Sequence, residues 1–138
     1  MPSAARSFIA IVAGMVVAVT CVSVFDLIAG SFHPVPEGFD PKNWEQVKAH
    51  AANAPTPALL VVLLGWVVGA FAGGVVSSRI AERKRKGYAY IISTLILAAT
   101  ISNFFTVPHP MWMMTAAIIG IGVAGLQAAR LAPPDPAA

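Results

Sequence analysis

The sequence predicts an all-α protein: a four-helix transmembrane bundle with a short amphipathic helix in its first outer loop. Composition predicts it first. Of the 138 residues, 57% are hydrophobic and only 11% are charged, against about 25% charged in a typical soluble domain. A water-soluble surface needs more polar residues than that. Second, the apolar residues fall into four runs at about 8–30, 58–78, 88–107 and 111–129. A helix of roughly 20 apolar residues crosses the hydrocarbon core of a bilayer. Third, small residues recur every four positions along these runs, which lays them on one stripe of a helix, where another helix can approach closely.

The chain is expected to form a single integral membrane domain. In its first run, Arg6 precedes about 8–30 as a cation precedes a signal peptide. The run exceeds the roughly 7–15 residues of a signal's apolar segment and no small-x-small cleavage site follows it. It is therefore expected to remain as the first span. Cys21 lies inside it and reads as a small packing residue.

The loop 31–56 opens with His33-Pro34-Val35-Pro36, which cannot be regular helix. Asp40-Pro41 then reads as an N-cap followed by proline at the first helical position. This predicts a helix from Pro41 to Ala52, with Trp44, Val47 and Ala51 on its apolar side. Pro55 and Pro57 end it.

The second span carries Gly65, Gly69, Gly73 and Ser77, two overlapping GxxxG spacings with a small-residue extension. This stripe is expected to be a packing hub, either for the other spans of the chain or for a dimer seam. The third span is the most polar, with Ser93, Thr94, Thr100, Ser102 and Asn103. Pro108-His109-Pro110 forces a tight connection. The fourth span carries Ala116, Gly120, Ala124 and Ala128 on one stripe. The Pro-rich tail, 130–138, is expected to lack structure.

Seven of the nine basic residues (Arg6, Arg79, Arg83, Lys84, Arg85, Lys86 and Arg130) fall on one predicted side, and only Lys42 and Lys48 on the other. The excess of Lys and Arg in cytoplasmic loops then places both termini in the cytoplasm. The net charge of +3 follows from this topology signal, and no nucleic-acid partner is expected. The expected partners are the lipid bilayer and a second copy or another membrane protein.

Chemistry-bearing residues are few. Asp26 is the one acidic residue inside a predicted span, about 6 Å from its outer end. A carboxylate in the membrane suggests a ligand, ion or proton site, and a group at a helix end reaching interfacial water is the plainer alternative. His33, Asn103 and His109 fall on the same side and are within plausible hydrogen-bonding reach of it. The three residues Asp26, His33 and His109 lack the local spacing of a metal site, so no metal and no cofactor is expected. Neither a nucleophile–base pair nor paired carboxylates can be read from the chain. His50 reads as solvated.

Two stretches, HPVPEGFDP (33–41) and VPHPMW (107–112), resemble a family of small, uncharacterised four-span bacterial inner-membrane proteins. The resemblance covers most of the chain and implies a bacterial inner membrane; it supplies no activity. Length and span number are also similar to those of small multidrug exporters. Those carry a glutamate deep in the first span, where this chain has only the shallower Asp26, so drug–proton antiport is not carried over. The expectation is a small, non-enzymatic interaction or accessory protein. The alternative is a small oligomeric transporter or channel using Asp26.

Overall fold

The structure, a computed structural model, describes residues 3–136. Among them are five helices and no strand: α1 (Ser3–Phe32), α2 (Trp44–Ala52), α3 (Thr56–Ile80), α4 (Arg85–Thr106) and α5 (Met111–Arg130). Four of these are long and apolar enough to cross a membrane. At 1.5 Å per residue, the 30 residues of α1 and 25 of α3 reach about 45 and 38 Å, beyond a hydrocarbon core of about 30 Å. Below, the end carrying α2 is the loop end. The end carrying Arg83–Lys86 is the basic end.

The small-residue stripe of α3 explains the packing. A Cβ built on Gly73 would stand 2.5 Å from the carbonyl oxygen of Gly14, and one on Gly69 would stand 2.8 Å from that of Ala18. One on Gly65 would stand 2.6 Å from Cβ of Phe25. The partners run 14, 18, 25 as the glycines run 73, 69, 65, so α1 and α3 are antiparallel and share a seam of bare backbone. Ser77 closes it, with its Cβ 2.7 Å from the Cβ position of Gly14. The glycines of α3 are thus occupied within the chain. Lipid chains are as apolar as the side chains, so close contact of this kind, rather than expulsion from water, holds membrane helices together.

Behind this seam, α3 also packs on α4 and α5. The contact of α1 with α4 is slight, and α1 does not meet α5. The core joins Ala18, Trp66, Ala70, Ile92, Ile96, Met113, Ala117, Ile121 and Ala124.

On α5 the buried face differs from the expected stripe. Ala124 and Ala128 are buried, whereas Ala116 and Gly120 are half-buried. The central line is Met113, Ala117, Ile121, Ala124 and Ala128. Steps of four drift about 40° each around a 3.6-residue helix, and the buried line of α5 corrects the drift with a three-residue step from Ile121 to Ala124, which the expected stripe lacks. Gly120 still serves as a close-approach point, for a Cβ there would meet Val67 Cγ2 at 2.7 Å.

The loop helix starts later than expected. Asn43, not Asp40, is its N-cap, with Oδ1 accepting from the Gln46 amide at 3.3 Å. Pro41 consequently lies outside the helix. Asp40 caps a turn one step earlier: its Oδ1 accepts from the Lys42 amide at 2.9 Å. Gln46 Oε1 reaches back to the Asp40 amide at 2.8 Å. Aspartate suits both an Asx turn and a helix cap. Here Asn43 with Gln46 three residues on wins the cap. Trp44 is exposed, and Val47 and Ala51 are half-buried.

The basic end is pinned by polar contacts. Arg6 Nε donates to the Ile80 carbonyl at 2.9 Å, and the Tyr88 hydroxyl lies 2.6 Å from Ser7 Oγ. Lys84 turns the chain into α4 with a left-handed φ of 51°. The tail, expected to lack structure, lays Pro134 and Asp135 against Arg85. The Arg85 amide donates to Asp135 Oδ1 and its guanidinium to the Pro134 carbonyl, both at 3.1 Å. Residues 137 and 138 lie outside the described residues.

Candidate binding site at the loop end

Helix α1 runs two residues past the predicted span. Asp26 therefore sits six residues, or about 9 Å, before its last residue, deeper than expected. Its side chain lines two cavities. One, of about 290 Å³, lies under α2 at the loop end and is also lined by His33, His50, Ala58, His109 and Met113. The other, of about 370 Å³, is a cleft between α1 and α4, walled by Val19, Val22, Trp66, Ile96, Thr100 and Asn103. Among the described residues Asp26 has no ion-pair partner. The one salt bridge there joins Lys48 Nζ to Glu45 Oε1 at 2.8 Å on the surface of α2.

The structure thus gathers the four expected site residues around one end, in two groups. His33 and His109 share the loop-end cavity with Asp26. Asn103 shares the cleft with it. The site is stepped: α3 rises past the Pro108-His109-Pro110 turn, which brings His109 down onto Trp66. The two ring centroids are 5.7 Å apart, and Phe104 completes a trio at 5.9 Å from Trp66 and 5.3 Å from His109. Trp66, which falls mid-span in the sequence, is a buried wall of the site. His109 Nδ1 donates to the Val107 carbonyl at 2.7 Å, which leaves Nε2 as the nitrogen available to a ligand.

His50 corrects the sequence reading. It is half-buried rather than solvated. Its ring stacks on that of His33 with centroids 3.9 Å apart and planes 14° apart. His33 Nε2 donates to the His50 backbone carbonyl at 2.9 Å. Burial, and then the neighbouring His33, lower the pKa of His50 below the ordinary value of 6.5, against a smaller opposing effect of the His33 backbone. A charge on the half-buried His50 ring is disfavoured where it stands, so the stack holds α2 to the end of α1 most firmly when His50 is neutral. The sequence did carry a signal for this. His50 follows Val47 by three residues and so lies on the face already expected to turn inward.

No group of three His, Cys, Asp or Glu among the described residues is placed to hold a metal ion. Met111 is exposed while Met113 is buried, so the methionines of α5 do not converge. What the arrangement offers is binding chemistry: a carboxylate without a cation, an amide, a buried hydroxyl-bearing Thr100, and imidazole nitrogens around two apolar-walled spaces. No known protein family, curated protein or solved structure matches the chain.

Proposed function

We propose that this chain is a small, non-enzymatic protein of the bacterial inner membrane that acts by binding, as an accessory or interaction protein. Both termini face the cytoplasm and the loop end faces outward. The observation that carries this reading is the position of Asp26, unpaired and shared between a cavity at the loop end and a cleft that opens toward lipid. The basic residues at the opposite end support the orientation. Any contact with a second copy or another membrane protein falls to the outward faces of the helices, because the glycine stripe of α3 is already used against α1.

Gentle purification from native membranes followed by intact-complex mass analysis tests the reading. The expected result is a bound species that is lost from Asp26→Asn. A wild-type protein that is strictly monomeric and carries nothing would overturn it. Single cysteines at positions 38 and 84, in a Cys21→Ala background, are expected to react with impermeant reagent from outside and inside respectively. The reverse pattern would overturn the orientation.

A second reading, a small transporter, is favoured by one feature: the two cavities meet at the same carboxylate. Under it, a solute reaching Asp26 from one space leaves by the other. Flux that is unchanged in Asp26→Asn removes it.

A further inference from the structure

The α1–α4 cleft has a direction. Its polar groups, Asp26 and Asn103, lie toward the loop end. Val19 and Ile96 line it seven residues away on each helix, which is about 10 Å nearer the middle of the span. Thr100 lies between, and Trp66 forms the back wall. Because α1 touches α4 only slightly and α5 not at all, the mouth opens sideways, toward lipid. A lipid in the nearer leaflet has the same polarity in the same order: head group toward the surface, hydrocarbon toward the centre. The unpaired carboxylate selects the head group. Asp26 is exposed at the cleft, and a carboxylate that meets lipid is costly without a counter-ion, whereas a primary ammonium supplies both the charge and N–H donors for short, charge-assisted bonds. A space of about 370 Å³ suits a head group and the first carbons of a chain, with the rest of the lipid left in the bilayer.

We propose that the α1–α4 cleft binds a membrane lipid whose head group carries a primary ammonium, with Asp26 as its counter-ion and the Asn103 amide as a second polar contact. This rests on the reading that the chain acts by binding at Asp26, and it names the class of ligand. Trp66 faces the cleft and reports on it. In a Trp44→Phe, Trp112→Phe background it is the sole tryptophan. The protein is placed in phosphatidylcholine nanodiscs containing small fractions of bromine-labelled phosphatidylethanolamine or, separately, bromine-labelled phosphatidylcholine. Bromine quenches tryptophan on contact.

The expected result is quenching by the ethanolamine lipid at about fivefold lower mole fraction than by the choline lipid, a preference worth about 1 kcal/mol. Stepwise N-methylation of the head group reduces it, and Asp26→Asn abolishes it. The methylation series needs no variant and so stands even where Asp26→Asn fails to fold. Equal quenching by the two lipids in the parent, or a preference retained in a folded Asp26→Asn, overturns the proposal. Soluble ethanolamine that displaces the lipid at comparable concentration overturns the lipid as occupant. A different species that copurifies with the wild type and leaves with Asp26→Asn, while the lipids quench equally, sinks the lipid class and leaves the binding role standing.

Discussion

Replacing Gly73 with alanine sets a methyl group 2.5 Å from the Gly14 carbonyl oxygen, 2.9 Å from Ala18 Cβ and 3.1 Å from Ile92 Cγ2. Ordinary van der Waals contact begins near 3.4 Å, so the shortfall at the oxygen is about 0.9 Å. Neither the oxygen nor the Ala18 Cβ can rotate away, because both are fixed to the α1 backbone. The two helices must part or slide. Overpacking of this kind costs about 1–3 kcal/mol, and two immovable neighbours point to the upper half. Alanine's better helix propensity, about 1 kcal/mol in water, recovers little here, since a span separated from its partners in lipid stays helical. The expected net loss is about 2 kcal/mol. Gly122→Ala is the matched control: it adds the same methyl group in α5, where no atom lies within 4 Å, and its expected effect is near zero. Reversible unfolding in mixed detergent–SDS micelles, followed by tryptophan fluorescence, measures both. If the two variants fall within about 0.5 kcal/mol of each other, the α1–α3 seam is not packed as described.

Ser77 Oγ is fully buried at the same seam and has no hydrogen-bond partner among the described residues. Ser77→Ala keeps the packing carbon, removes the unsatisfied hydroxyl and is expected to stabilise by about 1 kcal/mol in the same unfolding assay. Tyr88→Phe deletes the 2.6 Å contact with Ser7 Oγ that ties α4 to α1. A loss of about 1 kcal/mol is expected, with faster hydrogen exchange in the first turns of α1. Acid loosens α2: the pKa of His50 is lowered in the fold, so the unfolded loop binds more protons once pH falls below about 6.5. The contribution of neutral His50 to its packing is fully present above that value and is lost as pH drops through it toward the lower folded value. Protection of the Trp44–Ala52 amides, with exchange corrected for its intrinsic slowing in acid, is expected to be weaker at pH 5.5 than at pH 7.5, and His50→Gln is expected to remove most of the difference.

The spans were legible because their signal is redundant. Length, hydropathy and flanking charge all mark the same four runs, and the helices overrun the predicted limits by only a few residues. The glycine stripe of α3 was legible as a stripe, and the small residues Ala10, Gly14 and Ala18 of the first span as a matching face, yet the choice between that face and the one on the fourth span was not. The residues that meet it, Gly14 and Ala18, lie on a helix separated from α3 by a whole loop, and spacing within one helix says nothing about which neighbour it faces. The α5 stripe shows the opposite limit. Four small residues at equal steps are easy to see, but only the later two, Ala124 and Ala128, fall on the buried line. At the site, Asp26 announced itself as a charge in an apolar run. Trp66 did not, because a tryptophan among valines has ordinary composition, and His50 gave only its place on the same face as Val47. Only the step between α3 and the Pro108–Pro110 turn, and the stacking of two rings 17 residues apart, make them walls of one site.

The tightest seam of the molecule joins the first and second spans of the chain, and this sets an order of assembly. When residue 80 has entered the membrane, both halves of that seam are present and α4 has still to enter it. The α1–α3 pair is therefore a completed hairpin before the last two spans arrive, and α4 and α5 dock on its far side. A defect at Gly14, Gly69 or Gly73 would strike during biogenesis, leaving two loose spans in the translocon's path. A defect on the α4–α5 side would leave a formed hairpin awaiting its cover.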